Sequence, residues 1–367
     1  MLDWTRSASA SHRVVVATDW RDVRDFWPSL DNLGRGISGY AFQSREWIDS
    51  WIATQPTDDP GKFVFAIVET IDGVRTAFAP LEITRHKGVR VLSFAGGMLC
   101  DYAAPLLVDG QDHSNLAELI WTEVADHGPA FDIFRLRHSP PRIGALPNPF
   151  LAWDAMPSVL QARTGALEGD WDCFFGRTHG KSTRAKLRRK SQNMSEHGDV
   201  TFETAATTDD ALMMLDALLV MKAEQIDAGD NTLSAPRHAA FYRHLTATGN
   251  PHIRVHALKA GDRIVAAQWG VLTADRYMFL LMSHGEEWSR YSPGLLATKE
   301  LFAWCFEQKV PTFDFGLGDA PYKARWCDQQ SGLVSFVKSR SLAGHAAAFV
   351  IRQRASKAVP MVCSDSA

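Results

Sequence analysis

An order of six elements occurs twice in this chain, and each copy needs a sheet of its own. In the first copy, FQSREWIDSWIATQ places Trp47, Ile48, Trp51 and Ile52 on one face of a helix, with Ser44 as its N-cap. KFVFAIVET then reads as a strand. Asp72-Gly73 is a hairpin signal, and VRTAFAPLEIT and VRVLSFAGG are two further strands. A helix over 114–127 carries Leu116, Leu119, Ile120 and Val124 on one side, and FDIFRLRH closes the copy as a strand. In the second copy, Thr208-Asp209 caps a helix with Leu212, Leu215, Leu219 and Ile226 on its apolar face. IRVHALKA, RIVAAQWGVLT and RYMFLLMSH follow as strands, separated by Gly261-Asp262 and Ala274-Asp275. SPGLLATKELFAWCFEQ is a helix and TFDFG a strand.

A three-stranded meander is antiparallel, and a strand that follows a crossover helix can return beside it. The expected fold class is therefore α+β (mixed α/β). It is a tandem pair of like lobes, each a mostly antiparallel sheet flanked by helices. The first lobe is expected over 1–145 and the second over 171–340. Residues 146–170 form a linker and crossover, its proline-rich start including Pro147 and Pro149, and 341–367 a helix and tail. The length of 367 residues suits two cores of ordinary size.

Composition excludes several classes. Hydrophobic residues make up 46% and charged residues 22%, the balance of a globular chain. A net charge of −3 advertises no nucleic-acid or membrane partner, so such a role must come from a local patch. The N-terminus lacks the apolar run of a secretory leader, and the apolar runs elsewhere are strand-length, well short of the ~20 residues that span a bilayer. Cys100, Cys173, Cys305, Cys327 and Cys363 are scattered without a CxxC pair. That points to a reducing, cytoplasmic setting with no thiolate metal site. His252 and His256 lie in the alternating stretch HIRVHAL and read as imidazoles on the polar face of a strand.

The copies differ at the junction between the third strand and the helix. In the second, HGEEWSRY leads directly into SPGLL. Ser292 can cap the helix, Pro293 suits its first position, and Gly294 removes a side chain where a ligand would approach. Free N–H groups at a helix start attract anions, and Arg290 stands just upstream. A pyrophosphate-bearing co-substrate such as coenzyme A fits this design; an ordinary helix start is the plainer account of the tripeptide. The first copy has GGMLCDYAAPLLVDGQDHS at this place, with no glycine near the helix start. It is expected to lack a phosphate loop and to serve as scaffold and as one wall of an acceptor cleft.

The run RYSPGLLATKELFAWCFEQKVPTFDFGLGDAPYKARW, residues 290–326, resembles the signature of the CelD/BcsL-type acetyltransferases. These are double-lobed GNAT-fold proteins related in architecture to FemAB aminoacyl ligases. FQSREWIDSW, KSTRAKLRRKSQNMSEHGDVTFE and AGGMLCDYAAPLL are similar to other segments of that family. The resemblance implies a cytoplasmic acyltransferase. It would pass an acetyl or other acyl group from acetyl-CoA to an amine or hydroxyl of an amino sugar, or to a cell-envelope or exopolysaccharide precursor. It implies no metal and a small-molecule or lipid-linked sugar acceptor. The usual superfamily loop, Q/R-x-x-G-x-G/A, is altered: with Gly294 in the last place, Ser292 stands at the middle glycine and Ser289 at the first position.

Acyl transfer needs an oxyanion donor, a base and an acid for the leaving thiolate. The donor is expected as a backbone N–H near Leu281 or Met282. Tyr322 is a candidate acid or packs as a lid with Trp326. Asp314 alternates with Phe313 and Phe315 and is a candidate base or the partner of a cation. Asp319 is a freer carboxylate or part of an Asx turn. Arg290, Tyr291, Ser292, Gly294, Leu295, Met282 and Lys323 are the candidate co-substrate contacts, and Glu224 lines the acceptor cleft or is solvated. Cys305 lies on the apolar side of its helix and Cys327 has no histidine nearby in sequence, so neither reads as a nucleophile. The basic run Lys181, Arg184, Lys186, Arg188, Arg189, Lys190 has three readings: a solvated face, a site for an anionic acceptor or co-substrate phosphates, or a contact with tRNA. The last belongs to the alternative function, an aminoacyl-tRNA-dependent ligase, against which the near-neutral charge argues. A non-catalytic accessory of polysaccharide biosynthesis is the other alternative.

Overall fold

The computed structural model describes residues 12–56, 62–225, 236–318 and 320–358. The chain forms two compact units, one of residues 1–161 and 331–367 and one of 162–330.

The first unit opens with β1 (His12–Ala17), β2 (Ile37–Ser38) and α1 (Arg45–Ala53). It continues through β3 (Lys62–Thr70), β4 (Arg75–His86), β5 (Val89–Phe94), β6 (Leu106–Val108), α2 (Leu116–His127) and β7 (Ile133–Ser139). A small hairpin, β8 (Arg142–Ile143) and β9 (Leu146–Pro147), leads to β10 (Ala155–Ala166), which runs into the second unit. That unit holds α3 (Trp171–Thr178), α4 (Lys181–Met194), β11 (Val200–Thr204), α5 (Thr208–Gln225) and α6 (Pro236–Ala247). It continues with β12 (Ile253–Ala260), β13 (Arg263–Leu272), β14 (Tyr277–His284), α7 (Pro293–Glu307) and β15 (Thr312–Leu317). The chain returns to the first unit through β16 (Gln329–Ser339) and α8 (Leu342–Ala358).

In the first unit β3, β4 and β5 form an antiparallel meander, with Gly73 in the left-handed conformation at the β3–β4 turn. After α2, β7 returns parallel to β5. Ser44 caps α1 by accepting from the Trp47 N–H, and Trp47 and Trp51 are buried beneath it. In the second unit β12, β13 and β14 repeat the meander, and β15 returns after α7 parallel to β14. Both units are thus mixed sheets with helices against them, in the order read from the repeat.

Several local expectations need correction. Residues 146–170 are not an irregular linker, because MPSVLQARTGA sustains a long strand, β10. Residues 331–339, expected in the second lobe, join the first unit. There β16 pairs antiparallel with β7 and buries Phe336. The cap of α5 is Thr207, whose hydroxyl accepts from the Asp210 N–H while the Asp210 carboxylate accepts from the Thr207 N–H and hydroxyl. Met214, Leu215, Leu218 and Leu219 are buried on α5 instead of Leu212; Ile226 lies outside the described residues. His256 is not on a polar face: it is fully buried, its Nδ1 3.0 Å from the Thr204 hydroxyl and its ring edge-on to Trp304.

That burial has a pH consequence. Desolvation, with Arg254 nearby, pushes His256 down from 6.5 to about 3. Burial, with Arg325 nearby, pushes His179 down from 6.5 to about 4. Both rings fold neutral, so the unfolded chain binds more protons once pH falls below the ordinary histidine value. Their contribution is complete above pH 6.5 and is lost as pH falls toward 4, at up to about 1.4 kcal/mol per pH unit for each. A thermal-melting series from pH 7 to 5 should show a steady loss of stability, and His256→Gln should flatten it.

Candidate active site

Two parallel strands that begin together and then separate define the site. β14 and β15 pair only at Tyr277↔Phe313 and Met278↔Asp314. Beyond that point Gly316, at φ +63°, turns β15 aside, a conformation that glycine adopts without strain. The rest of β14, from Phe279 to His284, keeps β13 on one edge and has no β15 partner on the other. Opposite this edge, the register of β13 slips between Trp269 (partner Leu281) and Gly270 (partner Phe279), which leaves Leu280 as a bulge. A bulge re-aims backbone groups. It falls just before the Leu281 or Met282 position expected from sequence.

β15 is held at the parting. The Asp314 carboxylate accepts from the Gly316 N–H at 2.9 Å and lies 3.4 Å from the Arg276 guanidinium, which also pairs with Asp275. Asp314 is buried, so of its two expected roles the structure assigns the cation partner. Lys323 is not a solvated phosphate ligand. Its ammonium is buried and donates to the carbonyls of Phe315 at 3.0 Å and Leu317 at 2.7 Å. Those carbonyls sit where β15 leaves the ladder and must be satisfied. Tyr322 sets its ring edge-on to Phe315 at 5.8 Å, and burial raises its phenol pKa, so it is protonated at neutral pH. Trp326 stacks on Phe302 beneath it. Asp319 lies outside the described residues.

The start of α7 faces the free end of β14. Ser292 stands at the N-cap position but does not cap with its side chain. Its backbone is left-handed at φ +54°, and its hydroxyl accepts instead from Lys190 at 2.6 Å. The same ammonium donates to the Arg290 carbonyl at 2.9 Å. A left-handed non-glycine residue costs of order 1 kcal/mol, and Lys190 of α4 holds it in place. Tyr291 is buried between His197 and Trp288, its hydroxyl 2.8 Å from His197 Nε2, so it braces the turn from inside and does not face a ligand. Arg290 is exposed, with its guanidinium over the Tyr291 ring. Leu295 packs against the apolar clusters beneath α7.

Gly294 is buried. A Cβ there would lie 3.2 Å from Met282 Sδ, 3.3 Å from Met282 Cε and 3.6 Å from His284 Nδ1. The missing side chain therefore lets the start of α7 pack closely against β14. His284 is a site residue that sequence reading missed. Gln225 donates to its carbonyl at 2.7 Å and lies 3.3 Å from its Nδ1, and Ser283 donates to Gln225 at 2.9 Å. Burial lowers the His284 pKa, so the ring is neutral at pH 7. Glu224, one residue earlier on α5, is exposed.

α4 supplies the charge. Lys181, Lys186, Arg188 and Arg189 are exposed, and the helix contains no carboxylate. Burial and the nearby Lys186 and Arg189 lower the pKa of Lys190. Lys190→Met should release Ser292 and Arg290 together. The expected result is about a tenfold loss of affinity for a diphosphate-bearing ligand, read by calorimetry, with little change in melting temperature because the group is near the surface.

In the first unit the corresponding parting is filled. β5 and β7 pair only at Val91↔Ile133 and Leu92↔Phe134. Phe150, fully buried, then sets its ring against Phe94 of β5 at 6.4 Å and Phe134 of β7 at 6.0 Å. Asn148 locks the turn that carries Phe150, donating to the Pro140 carbonyl and accepting from the Phe150 N–H.

The parting of β14 from β15, beside a helix that opens with Pro-Gly, is the decisive feature of the second unit. Residues 181–324 match the family model of an acetyltransferase (GNAT) domain. The GNAT segment contains α4, Gly294 and the whole of the β14–β15 parting. No curated protein matches the chain in sequence. Among solved structures the chain is similar to FemX, at 11% identity over 86% of this chain and 95% of that one, with a TM-score of 0.58. It is also similar to a conserved protein of unknown function from Bacteroides thetaiotaomicron, at 12% identity over 88% and 97%, TM-score 0.51. A tandem GNAT protein from the clavulanic acid biosynthesis pathway aligns at 10% identity over 90% and 99%, TM-score 0.48. At these identities the likeness to the first two is one of fold alone. Among the described residues there is no cluster of three or more potential metal ligands, and no helix is long and apolar enough to cross a membrane.

Proposed function

We propose that the 162–330 unit transfers an acyl group from a coenzyme A thioester to an amine or hydroxyl. The observation that carries this reading is the parting of β14 from β15 at Gly316, with the start of α7 packed at Gly294 against the free end of β14. An extended amide-bearing arm needs an open strand edge, and a diphosphate needs a helix start; these residues place the two together. The Gly294 N–H at the start of α7, with Arg290 and the cationic face of α4, would hold the diphosphate; the Leu295 and Leu296 N–H groups already donate to the Ser292 carbonyl. Met282 and the edge of β14 would hold the arm. Bound acyl-CoA supplies an activated carbonyl with a good leaving group.

The chain's own residues then have distinct tasks. A backbone N–H at the Leu280 bulge, or at its neighbours Leu281 and Met282, is the donor for a developing oxyanion, worth of order 10²–10³ in rate. Tyr322, protonated at neutral pH, is the proposed acid. Asp319 is the proposed base, since Asp314 is committed to Gly316 and Arg276. His284, neutral beside Gly294, offers a hydrogen bond on the diphosphate side.

The finer reading, a CelD/BcsL-type cytoplasmic enzyme, has acetyl-CoA as donor. Its acceptor is an amino sugar or a small or lipid-linked precursor of the envelope or of an exopolysaccharide. Calorimetry with acetyl-CoA and with coenzyme A, followed by assays on a panel of amino sugars, tests it. Absence of heat and of any thermal shift with either compound would sink it. The carboxylate-free basic face of α4 supports a second reading, an aminoacyl-tRNA-dependent ligase. Salt-sensitive binding of tRNA would favour that reading, and full turnover in RNase-treated protein would exclude it. A non-catalytic accessory would show neither activity.

A further inference from the structure

The last described helix, α8, turns its large apolar side chains outward. Its inner side is set by close contact: Ala348 is buried, and a side chain at Gly344 would collide with the Asp132 carbonyl. The start is fixed as well. Ser341 caps α8 by accepting from the Gly344 N–H and donating to the Asp132 carboxylate. With the helix locked in this rotation, Leu342 is 91% exposed, Phe349 64% and Val350 46%. Leu342, Ala346 and Phe349 recur at the spacing of one helix face, with Val350 beside them. Arg352, whose guanidinium donates to the Val337 carbonyl, borders this stripe on one side and Arg354 on the other, both exposed. From Gln329 to Ala358 the sequence has no aspartate or glutamate.

An apolar stripe bordered by cations on a helix already anchored from behind has the chemistry of an interfacial helix. We propose that the outer face of α8 seats on an anionic phospholipid surface. Charge decides the occupant. A neutral apolar partner would leave the flanking cations unused, whereas acidic headgroups pair with them while Leu342, Phe349 and Val350 enter the headgroup–acyl boundary. A second copy of the chain fits less well. Three apolar side chains on one helix cover well under the ~800 Å² per partner of a stable interface, and the same cations would face each other. The proposal does not depend on the acyl-transfer reading, since nothing in the GNAT segment takes part.

The test is flotation of the full chain with vesicles of phosphatidylcholine alone and with 30% phosphatidylglycerol, on the order of a natural acidic fraction. Wild-type protein should float with the acidic vesicles only, and less so in high salt. L342E/F349E should lower the partition at least tenfold, and Arg354→Gln should lower it about fivefold. All three side chains are exposed, so the melting temperature of each variant should match wild type; that measurement separates lost binding from lost fold. No flotation by wild type, equal flotation with neutral vesicles, or flotation unchanged in L342E/F349E would each overturn the proposal. Concentration-dependent dimerisation without lipid, abolished by Phe349→Glu, would reassign the face to self-association.

Discussion

Gly294→Arg should lower affinity for coenzyme A at least a hundredfold, about 2.7 kcal/mol, and lower the melting temperature as well, because Gly294 is buried. The Cβ direction at Gly294 points at the Met282 thioether and His284, so a long side chain must push both aside and disturb the start of α7, where a diphosphate would bind. Gly294→Ala should have a small effect, because a flexible methionine can yield the few tenths of an ångström that a methyl group requires. Calorimetry reads the affinity, and ligand-free melting curves check the fold. Wild-type affinity in the arginine variant would place the co-substrate elsewhere, even if the acyl-transfer chemistry survived. No affinity in the wild type would dismiss the chemistry itself.

Phe302→Ala should cost about 3–5 kcal/mol in the stability of the second unit, a drop of roughly 10 °C in melting temperature. Phe302 lies at the crossing of the aromatic core. Its ring stacks on Phe313 at 4.1 Å, Trp326 at 4.6 Å and Phe174 at 5.7 Å. It thereby joins α7 to β15, to the segment after Lys323 and to α3. Removing the ring leaves a cavity walled by stiff planar groups that cannot collapse into it. Phe302→Leu keeps most of the volume and should cost less than about 1.5 kcal/mol. Urea titration of both variants decides the matter. Equal, small losses would mean that the aromatic stack is less important than its distances indicate. The parting lies directly above this core, so the alanine variant should also weaken ligand binding.

The architecture was legible because period and punctuation agree along most of the chain. The Trp47–Trp51 face of α1, the Gly73 turn and the Pro293-Gly294 helix start are local signals, and the structure places each where the letters put it. β16 was missed for a different reason. Its alternation in LVSFVKS is clear, but a strand does not announce which unit it will pair with; β7, far away in sequence, decides that. His256 misled for a similar reason. Alternation assigns a face, and only α7 arriving above it, with Trp304, makes that face an interior. The site was legible in its glycines and in part of its charge. What could not be read was commitment. Lys323 looks free in a loop of small residues, yet two carbonyls at the end of β15 claim it. Ser292 looks like a cap, yet Lys190, about a hundred positions earlier, claims its hydroxyl. His284 gave no signal, since its importance is its distance from an atom that Gly294 does not have.

Phe150 has a consequence for how the two halves respond to their surroundings. It sits between β5 and β7 as a guest that the chain carries within itself, present at every concentration of every metabolite. At this place the first unit is filled by its own side chain. If the second unit is filled by a diffusing molecule, its resistance to unfolding rises with the logarithm of that molecule's concentration. One half of the protein would then keep a constant stability while the other rises and falls with the supply of its substrate.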